Sequence, residues 1–153
     1  MDAGDNGREL VRIGIISSTN PKKNTVRVTF PDKDNLVSGD LRIIHRGSIG
    51  NRDYWMPDVG EEVVCIFPTN DESYFDGYVI GTLFNDKEPP NANSQDVTRI
   101  DFKDGTSIEY DREKHALKVE CKGTLEIKCD KDITITSAKN MILKGENIFI
   151  NEG

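Results

Sequence analysis

The last third of the chain repeats every eight residues. From Leu117 it reads LKVECKGT, LEIKCDKD, ITITSAKN and MILKGENI, and it closes with FINEG over residues 149–153. Position one of the octad holds Leu117, Leu125, Ile133, Met141 and Phe149. Position three holds Val119, Ile127, Ile135 and Leu143, then breaks at Asn151. Nine of the ten residues at these two positions are apolar, whereas positions two and four are mostly polar, as at Lys118, Glu120, Glu126, Lys128, Thr134, Thr136 and Lys144. Position five is small throughout (Cys121, Cys129, Ser137, Gly145), and positions six to eight are turn-like. Alternation of period two places positions one, three and five on one face of a strand. Self-similarity at a fixed period marks a repeat architecture.

Each octad therefore reads as a short strand followed by a bend of about three residues. An antiparallel meander is one way to arrange such units, but the bends lack the two-residue chemistry of tight hairpins, and glycine occurs in only one of the first three. The other way is for every bend to turn the chain around an axis. Successive strands then lie on different faces of a prism, and their neighbours on each face come from other chains. Three copies wound together close every strand edge and bury the apolar stripe, both of which a lone chain leaves open. The trimer core is expected at Leu117, Val119, Leu125, Ile127, Ile133, Ile135, Met141, Leu143 and Phe149. Each octad advances the axis by one strand spacing, which makes the shaft about 20–25 Å long. A bilayer with its headgroups is about 40–45 Å thick, so this is a stub with a blunt end at Asn151-Glu152-Gly153.

Upstream the grammar changes. Residues 1–9 are polar and Gly-containing and read as a loose arm. From Leu10 to Phe84, short alternating runs (Val11–Ile15, Thr25–Phe30, Leu41–Ile44, Glu62–Phe67 and Tyr78–Leu83) are punctuated by Asn20-Pro21, Pro31-Asp32, Ser38-Gly39, Pro57-Asp58-Val59-Gly60 and Asp76-Gly77. Five strands in this span fit a small closed β-barrel of the OB type better than an open sheet. Residues 85–97, with Pro89-Pro90, Asn91, Asn93 and Ser94, read as a linker. Residues 98–116 read as a hairpin turning at Asp104-Gly105, a pair for which both turn positions are expected at positive φ, and residues 117–153 form the β-helix. The fold class is all-β: a barrel followed by a short intertwined triple-stranded β-helix in a homotrimer.

Composition fits a chain completed by partners. Apolar residues make up 35% of the 153 and charged residues 31%, lean in core formers for a globular chain. The net charge of −7 argues against a nucleic-acid partner, because phosphate backbones are bound by clustered Lys and Arg. Cys65, Cys121 and Cys129 are odd in number and lack CxxC spacing, which reads as small apolar residues in reduced form. Met1-Asp2-Ala3-Gly4 shows neither a basic nor an apolar leader region, so synthesis in a bacterial cytoplasm is expected. No apolar run is long enough for a spanning helix.

A search for chemistry yields no catalytic, metal or cofactor residues. The close carboxylates Asp71-Glu72 and Asp130/Asp132 lie in turn segments, where solvated faces are far commoner than the spaced pair of a glycosidase. His45 and His115 have no Asp, Glu or Cys at metal-ligand spacing and read as surface or packing residues. Tyr54 and Trp55 suit packing better than base stacking, given the acidic charge. The chain is not expected to be an enzyme.

Several elements together resemble the baseplate assembly protein V family, the central spike of contractile phage tails. They are Arg12-Ile13-Gly14-Ile15-Ile16, Val26-Arg27-Val28, Trp55-Met56-Pro57-Asp58-Val59-Gly60-Glu61-Glu62-Val63, Gly77–Phe84 followed by Pro89-Pro90, and Phe102–Asp111 with His115 and the octads behind it. The cores of type VI secretion spikes and R-type bacteriocins are similar. The resemblance implies a barrel docked on a baseplate hub protein at the tube end, a β-helix pointing at the target cell, transient contact with its membrane, and a place in a virion tail baseplate or an extracellular tail-like particle. Relatives with a self-made needle tip carry a His-x-His iron site, which this sequence lacks, and the linker leaves no room for the lysozyme domain of others. The blunt end then implies a separate PAAR-type tip protein contacting Asn151, Glu152 and Gly153. The other function classes open to the sequence are a soluble OB module for oligosaccharide or single-stranded nucleic acid, and a remnant envelope hydrolase.

Overall fold

A computed structural model describes residues 10–68 and 74–150. The chain divides into two units, Met1–Asn93 and Ser94–Gly153. Among the described residues the structure is all-β, its one helical element being a single 3-10 turn at Pro31–Lys33.

The first unit holds β1 (Val11–Asn20), β2 (Thr25–Phe30), β3 (Leu36–Val37), β4 (Leu41–Ile43), β5 (Glu62–Ile66) and β6 (Tyr78–Leu83). The strands run β1-β5-β6-β4-β2-β3, and β1 also pairs with β2. Five strands thus close into a ring, with β3 laid along β2. β4 pairs with β6 in parallel, and the other pairings are antiparallel. β1 makes the closure possible by its length. Its first half (Val11–Ile15) pairs with β5 and its second half (Ile15–Asn20) with β2, with a register shift between Ile16 and Ser18. Such bulges bend a strand around a barrel corner. The polar run Ser17-Ser18-Thr19-Asn20 hides this second half from a reading by alternation. β3 is missed for a different reason: two residues are too few to show a period.

The ring encloses Ile16, Val26, Val28, Phe30, Leu41, Ile43, Val63, Cys65, Phe67 and Val79, with Trp55, Met56 and Tyr74 packed against them. Burial pushes the Cys65 thiol up to about 12, so it stays protonated as a small apolar filler. Arg12 is also buried. Its guanidinium lies 5.6 Å from the Phe30 ring centre and 5.1 Å from that of Tyr74, and it donates to the Tyr74 hydroxyl at 3.0 Å and to Asp32 at 2.6 Å. Hydrogen bonding to Arg12 holds the Asp32 carboxyl below its usual range. Phe30, Phe67 and Tyr74 pack edge-on and tilted beneath it, at centre separations of 4.8–5.8 Å.

The second unit begins with a three-stranded antiparallel meander: β7 (Val97–Asp101), β8 (Ser107–Asp111) and β9 (Ala116–Glu120). The β7–β8 connection corrects the two-residue turn expected at Asp104-Gly105. Gly105 donates to the Phe102 carbonyl at 2.9 Å, and Phe102 donates to the Thr106 carbonyl at 2.8 Å. Only Gly105 of the pair has positive φ, at 87°. This is a three-residue loop that ends in a glycine bulge. It is favoured because the Asp104 carboxylate is free to accept from the Thr106 amide and hydroxyl, at 2.9 and 3.0 Å. The β8–β9 loop turns on Asp111, whose carboxylate accepts from the amides of Glu113 and Lys114, each at 3.0 Å. It exits through His115 at φ 52°.

Candidate functional site

Beyond β9 the chain stops pairing with itself. Residues 121–150 form no strand, but they bend at 122–123, 130–131, 138–139 and 146, once every eight residues. The bends fall at octad positions six and seven. At the second and third bends position five supplies a local reason: the Cys129 thiol donates to the Asp132 carbonyl at 3.6 Å, and the Ser137 hydroxyl donates to the Asn140 carbonyl at 3.1 Å. Both contacts run from position five to position eight, folding a short side chain over the bend. Side-chain bonds of this kind compete with regular structure and favour a turn. The second and third bends therefore carry their own support, the first is tied through the Lys122 amide to the Thr106 hydroxyl, and the extended stretches between bends are left with open edges.

Position-one and position-three residues stand in solvent within this single chain. Leu117, Val119, Leu125, Ile127, Ile133, Ile135, Met141, Leu143 and Phe149 range from 51% exposed at Met141 to 84% at Phe149. An apolar ladder this exposed marks an interaction surface.

A second apolar surface lies on the barrel. The alternation of β1 is inverted relative to the usual expectation, with Arg12, Gly14 and Ile16 buried while Val11, Ile13 and Ile15 are exposed. Beside them Val64 pairs with Ile13 and Ile66 with Val11, both half-buried. Gly14 is what allows β1 to lie so close to β2. A Cβ there would meet Val28 Cγ1, and would come within 2.8 Å of both Phe30 Cδ1 and the Thr29 carbonyl.

The chemistry-bearing residues singled out in the sequence are scattered. His45 is bonded to the Asn24 side-chain amide and stacks 6.2 Å from Tyr54, with Trp55 edge-on at 6.4 Å. Trp55 donates to the Ile44 carbonyl at 3.4 Å. Trp55 packs against the barrel core, whereas Tyr54 is largely exposed. His115 is a turn residue. Asp130 and Asp132 are exposed beside a bend. Among the described residues no three His, Cys, Asp or Glu side chains are grouped to hold a metal ion, and no helix is long and apolar enough to cross a membrane. The expected tip contacts Asn151, Glu152 and Gly153, the pair Asp71-Glu72 and the arm 1–9 lie outside the described residues. The outward stripe of β1 was missed in the sequence. Its one signal was an arginine and a glycine alternating with aliphatics, which reads the same whichever face is inside.

Among the described residues, the features that stand out are thus an all-β chain, a closed sheet and a periodic apolar ladder. No family model matches the chain. It is similar to the spike protein of Escherichia phage P2, at 26% identity over 144 residues, which cover 94% of this chain. The same match covers 66% of the phage protein, so the chain spans a little under two thirds of the length of that curated relative.

Proposed function

We propose that the chain is the central spike subunit of a contractile tail or tail-like injection machine. Three copies wind residues 117–153 into a short triple-stranded β-helix, with the position-one and position-three side chains on its axis. Residues 10–84 form an OB-type barrel that docks on a hub protein at the end of the tail tube. Sheath contraction drives the assembly into the target cell envelope. The work is mechanical, and no catalytic step is assigned.

One observation carries this reading: an apolar ladder in strict octad register, bent every eight residues and left unpaired, in a chain similar over nearly its whole length to a phage spike protein. The OB assignment is supported by a five-stranded closed ring whose one parallel pair joins its third and fifth strands, β4 and β6. The hub contact is supported by the outward stripe Val11, Ile13 and Ile15. A piercing device must resist unfolding under load. Interwoven chains supply that resistance, because none leaves without breaking pairs with two others.

Sedimentation of the purified chain tests the proposal. The expected species is a trimer at micromolar concentration, and a monomer of 17.2 kDa overturns it.

A further inference from the structure

Two thiols in the repeat have a relation that is invisible within one chain. Cys121 and Cys129 both occupy octad position five, eight residues apart, and both are exposed and free. Cys121 sits where the chain leaves its own sheet. β9 pairs with β8 on one edge, and its other edge is open. The residues around Cys121 are anchored, since Lys122 donates its amide to the Thr106 hydroxyl at 3.2 Å and Glu120 is paired to Lys122 at 2.5 Å and to Lys118 at 3.1 Å. Cys129 ends the next extended stretch, just before the bend at 130–131. Its thiol makes only a long contact to Asp132, which a weak S–H donor gives up readily.

The geometry of a three-fold octad winding fixes what lies beside what. Each octad occupies one prism face and rises by one strand spacing, so the next strand on a given face is the following octad of a neighbouring copy. Residues at the same octad position are then in register across that edge. Cys121 of one copy lies beside Cys129 of its neighbour, with Cα atoms about 4.7–4.9 Å apart. That separation lies within the range of about 4.4–6.8 Å that disulfides span.

We propose that Cys121 and Cys129 of neighbouring copies form three inter-chain disulfides that close the spike into a covalent ring at the first rung of its shaft. Each chain gives Cys121 to one neighbour and Cys129 to the other. Each bond consumes one disulfide-form oxidant. Two thiols lose their protons and two electrons, one S–S bond forms between the chains, one S–S bond of the oxidant breaks, and two small-molecule thiols leave. Bacterial cytoplasm keeps such thiols reduced, so the ring closes once the particle meets an oxidising exterior. The inference rests on the trimeric spike reading.

The test uses the full chain, reduced and then exposed to oxidised glutathione. Covalent state is read on non-reducing denaturing gels, native mass by sedimentation and linkage by peptide mass spectrometry. Wild type and Cys65→Ser should give a covalent trimer that a reducing agent disperses, through a linked peptide pair containing Cys121 and Cys129. Cys121→Ser and Cys129→Ser should each abolish every cross-link while still sedimenting as trimers. A native trimer that never cross-links overturns the pairing and leaves the trimer standing. Covalent dimers of Cys129→Ser joined through Cys121, or a Cys121–Cys129 bond within one chain, overturn the register. A chain that sediments as a monomer overturns the spike reading, and the disulfides with it.

Discussion

The barrel and the octad repeat use the same alternating grammar and come to opposite ends. In the barrel, five strands close on themselves, and Val28, Phe30, Leu41, Val63, Cys65 and Val79 are entirely buried. In the repeat, side chains of the same kind stand more than half exposed. The cause is the connections. Barrel turns such as Pro21–Asn24 and the Asp58–Glu61 bend bring each strand back beside one already made, so its edge is paired within the chain. The octad bends direct the chain onward, and those at 130–131 and 138–139 hold themselves by a position-five to position-eight contact. Apolar alternation specifies that a face will be buried, and the turn decides whose chain buries it.

Truncation breaks the comparison most sharply. Residues 1–97 should keep the ring and lose the trimer entirely, and sedimentation with circular dichroism reads both at once. If that fragment stays fully trimeric, the barrel supplies the assembly and the repeat does not. Paired point changes come next. Ile127→Asp should cost the folded barrel nothing, since Ile127 is 71% exposed in the chain. It should nevertheless dissociate the trimer, because three carboxylates would enter a dry core together. Leu41→Ala should do the reverse, destabilising the barrel by about 2–5 kcal/mol in denaturant melts while leaving the octads able to associate. Gly14→Ala should cost about 1–3 kcal/mol by forcing Val28 and Phe30 from their positions, read in the same melts.

The smallest effect is that of acid on the meander. Hydrogen bonds from Lys122 and then Lys118 hold Glu120 down at about 2. The Thr106 amide and hydroxyl lower Asp104, and Lys114 lowers Asp111. A carboxyl depressed on folding stabilises the fold above its ordinary pKa, and that stability is lost as the pH falls through the depressed value. Thermal midpoints should therefore be flat above about pH 4.5 and decline toward about pH 2, and Glu120→Gln should flatten the decline.

Much of this was legible in the sequence. Strands β2, β4, β5 and β6 lie where alternation put them, and the octad period recurs as the spacing of the bends. The phase of β1 was not legible. An alternating strand looks the same inside out, and Arg12 is drawn inward by Asp32, Tyr74 and the Phe30 ring, which lie far from it in the chain. The Asp104-Gly105 loop was misjudged by one residue because its geometry answers to the Asp104 carboxylate and Thr106 as well as to the glycine. For the first octad, β9 gains an in-chain partner in β8, which a reading of the repeat by itself had no means to supply.

The recurring bend also bears on how such a chain can change over evolutionary time. Because the bends recur every eight residues, an insertion or deletion of eight leaves the spacing of the others as it was and alters the rod by a single step of about 4.7 Å. An indel of any other size throws the downstream bends out of step with the octad register, in three copies at once. Shaft length in chains of this kind should therefore drift in whole octads, and gaps in pairwise alignments through the repeat should come in multiples of eight.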